Sequence, residues 1–203
     1  MRGAAVKWVV ATSNPGKLRE FRTIFEEFGL ELISMAEAGV TDEPDENGTT
    51  FEENALIKAR SCAAACGLPT VADDSGLTVD ALGGAPGIYS ARFAEPGHRR
   101  ERVLREMKGV PEEERGAGFV CAIACVIPGE CEFTVRGECR GRIAHESIGT
   151  GGFGYDTIFY DPDLDRTFGQ IPAELKNRIS HRARALAALR DKLMEMGVIH
   201  ADK

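Results

Sequence analysis

Apolar positions along the chain switch repeatedly between a spacing of two and a spacing of three to four, which is the mark of strands alternating with helices. Residues 7–11 form a short apolar run closed by Thr12-Ser13-Asn14-Pro15-Gly16, predicting a buried strand and a turn. Leu18, Phe21, Phe25 and Phe28 then share one face of a helix that starts near Lys17 and ends at Gly29. Residues 30–35 predict another strand, 41–50 an acidic turn-rich stretch, and 51–66 a helix with Phe51, Ala55, Ala59, Cys62 and Cys66 on one side. Thr70-Val71-Ala72 is a brief apolar strand running into Asp73-Asp74-Ser75-Gly76. A loop over 83–87 and a charged helix over 98–108 follow. Residues 119–127 are apolar without alternation, as in a strand covered on both faces. Pro128-Gly129 turns the chain, and Cys131, Phe133 and Val135 alternate on the way back, forming a hairpin. A glycine-rich loop over 149–154 leads into a strand near 158–160. The last helix covers 180–196, with Leu186, Leu189, Leu193 and Met196 on its buried side. Strands and helices intermix throughout, so the class is α/β with a mixed sheet. No repeat or linker interrupts residues 1–203, which predicts a single domain.

Composition narrows the function. Lys and Arg number 25 against 32 Asp and Glu, a formal charge of −7. A general nucleic-acid binder needs a basic surface, so that class is disfavoured, whereas small anionic substrates remain open to a few local cations or a metal ion. No apolar run approaches the ~18 residues of a membrane span. The two basic residues ahead of Trp8 precede only a four-residue apolar run, too short for a signal peptide, which predicts a cytoplasmic protein. The six cysteines include no CxxC spacing and are expected as reduced core thiols.

Four segments carry candidate chemistry. Thr12, Ser13, Asn14, Pro15, Gly16 and Lys17 sit between a strand and a helix, where backbone N–H groups and a lysine suit phosphate and where Ser13 or Asn14 also suits a simple helix cap. Asp73 and Asp74 follow an apolar strand, and adjacent strand residues face opposite ways. One carboxylate must therefore point toward covered interior and needs a cation, for which oxygen-seeking Mg²⁺ is suited, with Glu46 in the acidic loop a further oxygen donor. The alternative is a turn built on Asp74, Ser75 and Gly76. Phe153, Gly154, Tyr155 and Asp156 offer aromatic faces flanked by glycine for a planar ring. Lys176, Ser180, His181 and Arg182 gather cations near a helix start, against the helix dipole, which points to an electron-rich partner between them.

These blocks occur in order with Asn47-Gly48-Thr49-Thr50-Phe51-Glu52-Glu53-Asn54, with Gly83-Gly84-Ala85-Pro86-Gly87-Ile88-Tyr89-Ser90-Ala91-Arg92 and with Gly149-Thr150-Gly151-Gly152. Together they closely resemble the inosine triphosphate pyrophosphatase family of Ham1-like proteins, from about Val9 to about Leu189. The resemblance implies a homodimeric α/β enzyme with a long mixed sheet and a cleft between two lobes. It implies Mg²⁺-dependent hydrolysis of ITP, dITP or XTP to the monophosphate and pyrophosphate. By position it makes Asp74 the general base and, with Glu46, a metal ligand. Residues 12–17 and Ser75 would hold the phosphates, and Lys176 would pair with them. Phe153, Gly154, Tyr155 and Asp156 would hold base and ribose, while His181 and Arg182 would read the 6-oxo edge. Thr157 and Gln170 stand where such proteins usually carry Pro and Glu. Two other functions fit parts of the pattern: a nucleotide sensor without hydrolysis, and a pyrophosphatase of the Maf group acting on pyrimidine or modified nucleotides.

Overall fold

The structure, a computed structural model, describes residues 7–199; the basic start of the chain lies outside it. Seven strands form one sheet in the order β2-β1-β3-β4-β5-β6-β7: β1 Lys7–Val10, β2 Glu31–Ser34, β3 Thr70–Val79, β4 Gly116–Ile127, β5 Cys131–Ile143, β6 Phe159–Asp161 and β7 Arg166–Thr167. β1 runs parallel to β2, with Val9 opposite Ile33, and parallel to β3, with Val10 opposite Val71. β6 is antiparallel to both β5 and β7. The sheet is therefore mixed, as the pattern predicts. The helices are α1 Pro15–Glu27, α2 Phe51–Cys66, α3 Arg99–Glu106, α4 Ala173–Ile179 and α5 His181–Glu195.

The chain divides into two compact units. The first comprises residues 1–74, 122–136 and 185–203. Its helices are set by local rules. Asn14 caps α1, its Oδ1 accepting from the N–H of Gly16 at 2.8 Å and of Lys17 at 3.3 Å, with Pro15 at the first turn. Thr50 caps α2 and Gly67, at φ +70°, ends it. The buried side of α2 is built from small residues, Ala55, Ala59 and Cys62, which pack with Val9, Ala72 and Ala124. Small side chains bring the helix axis close to the strands it covers.

The second unit comprises residues 75–121 and 137–184. Its core is aromatic. Phe119, Phe159 and Phe168 lie with ring centroids 4.5–6.0 Å apart, surrounded by Leu77, Val79, Met107 and Ile158. Between α4 and α5, Ser180 ends one helix and caps the next, its Oγ accepting from the Ala183 N–H at 3.2 Å.

Three expectations need correction. β3 does not stop at Asp73; it continues through Asp-Asp-Ser-Gly to Val79, as an interior strand hydrogen-bonded within the sheet. Met196 lies beyond the end of α5 and is 38% exposed rather than buried. Lys176 belongs to a separate seven-residue helix, α4, not to an approach to α5. The cysteines of the described residues are free thiols, and burial pushes Cys62 and Cys139 up to about 11 and Cys125 to about 12. Such thiols stay protonated and unreactive.

Candidate active site

In the first unit, β3 presents Asp73 and Asp74 to opposite faces. Asp73 is 1% exposed, and the Lys17 Nζ lies 2.9 Å from its Oδ2. Asp74 faces α2. There the Asn54 Nδ2 donates to Asp74 Oδ2 at 3.2 Å, and the Lys58 Nζ stands 3.8 Å from Asp74 Oδ1 and 3.1 Å from Glu46 Oε1. Asn54 and Lys58 are one turn apart on α2, so one helix face supplies both. Asn54 is fully buried and also fixes the acidic loop, its Oδ1 accepting from the Gly48 N–H at 2.9 Å. A Cβ on Gly48 would lie 2.7 Å from that oxygen, so only glycine fits there.

Burial pushes the Asp74 carboxyl above the usual carboxylate range; Lys58 opposes this and Glu46 reinforces it. Burial alone would lower Lys58, but Asp74, Asp73 and Glu46 outweigh it and raise the ammonium. Three carboxylates thus gather around two lysines. Among the described residues no group of three or more His, Cys, Asp or Glu side chains is arranged to hold a metal alone. Mg²⁺ commonly takes one or two carboxylates and completes its shell with water and substrate phosphates, so Asp74 and Glu46 fit it.

The loop over 12–17 is a helix start, but the N–H groups of Gly16 and Lys17 are occupied by Asn14. The Thr12 Oγ1 accepts from the Asn14 N–H at 3.2 Å, and Ser13 is exposed. Within this segment, Lys17 is the group that reaches the acidic cluster.

In the second unit, Asp156 organises the aromatic loop. It is 3% exposed, and its Oδ2 accepts from the Phe153 N–H at 2.7 Å and pairs with the Lys176 Nζ at 2.5 Å. Gly152, at φ +72°, passes so close that a Cβ would lie 2.1 Å from the same oxygen. Phe153 is held outward at 44% exposure, with the Lys176 Nζ 4.4 Å and the Arg182 Cζ 6.0 Å from its ring centroid. Arg182, 3% exposed, donates to the Ser75 Oγ at 3.1 Å. His181 stacks on Phe119 at 4.8 Å and 16°.

Tyr155 turns inward instead: it is 4% exposed, its hydroxyl donates to the Ser90 carbonyl at 2.8 Å, and burial pushes it up to about 12. It is a prop for the loop. Gly154, at φ +61°, makes the bend between the outward Phe153 and the inward Tyr155. The two departures from the usual pattern are both bonded. The Thr157 Oγ1 accepts from Arg100 at 3.0 Å, and the Gln170 Oε1 accepts from the Thr167 N–H at 3.0 Å in a capping box.

Asp74 lies with Glu46, and Phe153 and Asp156 with Arg182, as the sequence predicts; Lys176, expected to pair with phosphate, pairs with Asp156. Sequence reasoning misses Lys58, Asn54 as a carboxylate holder, and the pairing of Lys17 with Asp73. The available signal was a buried-type Asn and a Lys one turn apart on an otherwise alanine-rich helix.

A mixed-sheet α/β protein with an acid–lysine cluster on one strand and a glycine–aromatic loop backed by buried cations is a defined class. The chain belongs to the Ham1 family, whose profile matches residues 8–192. It is 49% identical over 193 residues to the dITP/XTP pyrophosphatase of Bacillus subtilis, covering 92% of this chain and 96% of that protein. Identity to the dITP/XTP pyrophosphatase of Photorhabdus laumondii is 47%, over 92% of this chain and 98% of the other. Among solved structures, a HAM1 protein from Coxiella burnetii superposes with a TM-score of 0.86 at 39% identity, covering 94% and 99% of the two chains. The expected family and fold class are both borne out.

Proposed function

We propose that this protein is a nucleoside triphosphate pyrophosphatase that hydrolyses non-canonical purine nucleotides (dITP, ITP and XTP) to the monophosphate and pyrophosphate, with Mg²⁺. The observation that carries the proposal is Asp74: a buried carboxylate held above the usual carboxylate range by burial and set between Lys58, Asn54 and Glu46. A carboxylate so placed can take a proton from the attacking water. Water attacks the α-phosphorus, its proton passes to Asp74, and the bond to the bridging oxygen breaks as pyrophosphate leaves. Charge grows on the phosphoryl oxygens, where Lys17 and Lys58 stabilise it. Asp74 and Glu46 would hold Mg²⁺, which supplies Lewis acidity and offsets pyrophosphate charge. Of residues 12–17, Lys17 is the group that binds phosphate.

The second unit reads the base. Phe153 offers an exposed ring face for stacking, and Asp156 with Lys176 fixes the loop that carries it. Arg182, helped by His181, donates to the 6-oxo group. Adenine presents an amino donor there, which would leave the guanidinium facing another donor. A sensor without hydrolysis would have no use for Asp74 and Glu46 beside two lysines, and the relatives' names support purine over pyrimidine substrates.

No helix among the described residues is long and apolar enough to cross a membrane. Homodimerisation, a cytoplasmic location and the absence of nucleic-acid binding complete the proposal; light scattering on the purified chain tests the first. The main test is a panel of ITP, dITP, XTP, GTP, ATP and dTTP, each with and without Mg²⁺. Pyrophosphate release from the first three, only with Mg²⁺, is expected. Release mainly from dTTP, or none from any nucleotide, sinks the proposal.

A further inference from the structure

In the second unit, the glycine-rich loop lines a cavity of about 570 Å³ together with Arg99, Arg100, Ser147 and Thr157. Small-molecule sites typically occupy ~300–1,000 Å³. The proposed base site uses only Phe153 and Gly154 of these walls. No acid lines the cavity, although acids outnumber bases 32 to 25 in the chain. Both arginines are half-buried, and among the described residues neither makes a salt bridge, although Arg100 feels the exposed Glu101 carboxylate beside it. Arg99 donates to the Ala91 carbonyl at 3.1 Å and Arg100 to the Thr157 Oγ1 at 3.0 Å, both neutral acceptors.

A guanidinium carries five N–H donors, so one neutral acceptor leaves most of them for a ligand. Half-buried guanidinium groups whose hydrogen bonds go to neutral acceptors can take an oxyanion through short, charge-assisted bonds. The walls are also preformed. A Cβ on Gly149 would lie 2.3 Å from the Gly169 carbonyl oxygen, and Thr157 Oγ1 is shared with the Ser147 hydroxyl at 3.1 Å, fixing the acceptor that aims Arg100.

We infer that this cavity is an anion site that takes a phosphate group through Arg99 and Arg100, borne either on free pyrophosphate or on a nucleoside monophosphate. The inference rests on the proposed reaction only for its choice of probes, which are that reaction's two products.

The test is an amide NMR titration of the full chain with sodium pyrophosphate and, separately, with inosine 5′-monophosphate, against sodium chloride of equal ionic strength. Saturable shifts are expected at Gly97, Ser147 and residues 149–152. In the Arg99→Ala/Arg100→Ala variant the Kd read from those amides should rise about tenfold or more, while shifts over 12–17 persist. If the double variant loses its dispersed spectrum, Arg100→Gln removes the charge but keeps a donor for Thr157, and its Kd should still rise several-fold. Shifts with the monophosphate place the phosphate on a nucleotide, and shifts with pyrophosphate alone make the free anion the ligand. Silent loop amides in both arms, or equal affinity in the variants, overturn the inference. No turnover is needed, so an inactive enzyme with moving loop amides counts against the pyrophosphatase reading alone. An active enzyme with still loop amides counts against this inference alone.

Discussion

The two units hold buried charge differently. In the first, Asp73, Asp74 and Glu46 gather with Lys17 and Lys58. In the second, Asp156 pairs with Lys176, and Arg182 lies beside the same aromatic ring. The first cluster is only partly closed, with Lys58 and Glu46 reaching solvent; the second is nearly sealed, with Asp156 and Lys176 almost wholly buried. An open cluster of carboxylates suits a cation and the proton of a water. A sealed one suits fixed hydrogen bonding to a neutral ring. Accessibility, more than residue type, separates a chemical role from a recognition role.

The largest effect expected is in the first unit. Asp74→Asn should cut pyrophosphate release from dITP by ~10²–10⁴, the usual cost of a lost general base. The fold should gain. A carboxyl whose folded pKa is raised adds stability below its unfolded value and loses it as pH rises through the folded value, so at pH 7 ionised Asp74 is a burden that Asn removes. Thermal melts in EDTA should therefore show the variant above wild type at pH 7, with the gap closing toward pH 4. A variant less stable at pH 7 would make Asp74 a structural anchor.

Lys176→Met comes next and tests whether the second unit is sealed. It strands a carboxylate that is 3% exposed, and breaking such a pair costs ~3–5 kcal/mol. Urea denaturation should show that loss, and adding Asp156→Asn should restore much of it. A change below 1 kcal/mol, the ~0–1 kcal/mol worth of a surface pair, would mean the pair is solvated.

Arg182→Ala should lower kcat/KM for ITP by the ~1.5–3 kcal/mol of a charge-assisted bond while leaving ATP nearly unchanged. Lys17→Ala should lower both substrates together and preserve their ratio. Identical behaviour of the two variants would erase the division between chemistry and recognition. The smallest effect is Thr157→Val, which removes the hydroxyl that holds Arg100 and Ser147 and should cost about 1 kcal/mol of stability without altering the ITP/ATP ratio.

How much of this was legible depended on distance along the chain. Helix α2 is read correctly over 51–66 because its cap, Thr50, and its stop, Gly67, are local devices. The apolar run of β4 and its hairpin turn are legible for the same reason. Asp73-Asp74-Ser75-Gly76 misleads, since its composition is that of a turn and what keeps it extended is its place inside the sheet, beside strands distant in sequence. Lys58 is invisible because a lysine on a helix ordinarily faces water. Helix α4, at seven residues, is too short for a periodicity to register. Tyr155 looks like a ligand-facing aromatic, and only the Ser90 carbonyl reveals it as a prop.

The opposed orientation of Asp73 and Asp74 has a consequence for how such a chain varies over generations. Each carboxylate meets a lysine from a different helix, α1 or α2, and which meets which is set only by the odd or even count of residues along β3. A single-residue insertion or deletion ahead of Asp73 within that strand would exchange the two partners, sending the proposed base toward α1 and away from Asn54 and Glu46. Stability and turnover would fail in one event, without any side chain having been replaced. Loops away from the site have no such parity to keep, so length variation should accumulate there and be purged from β3.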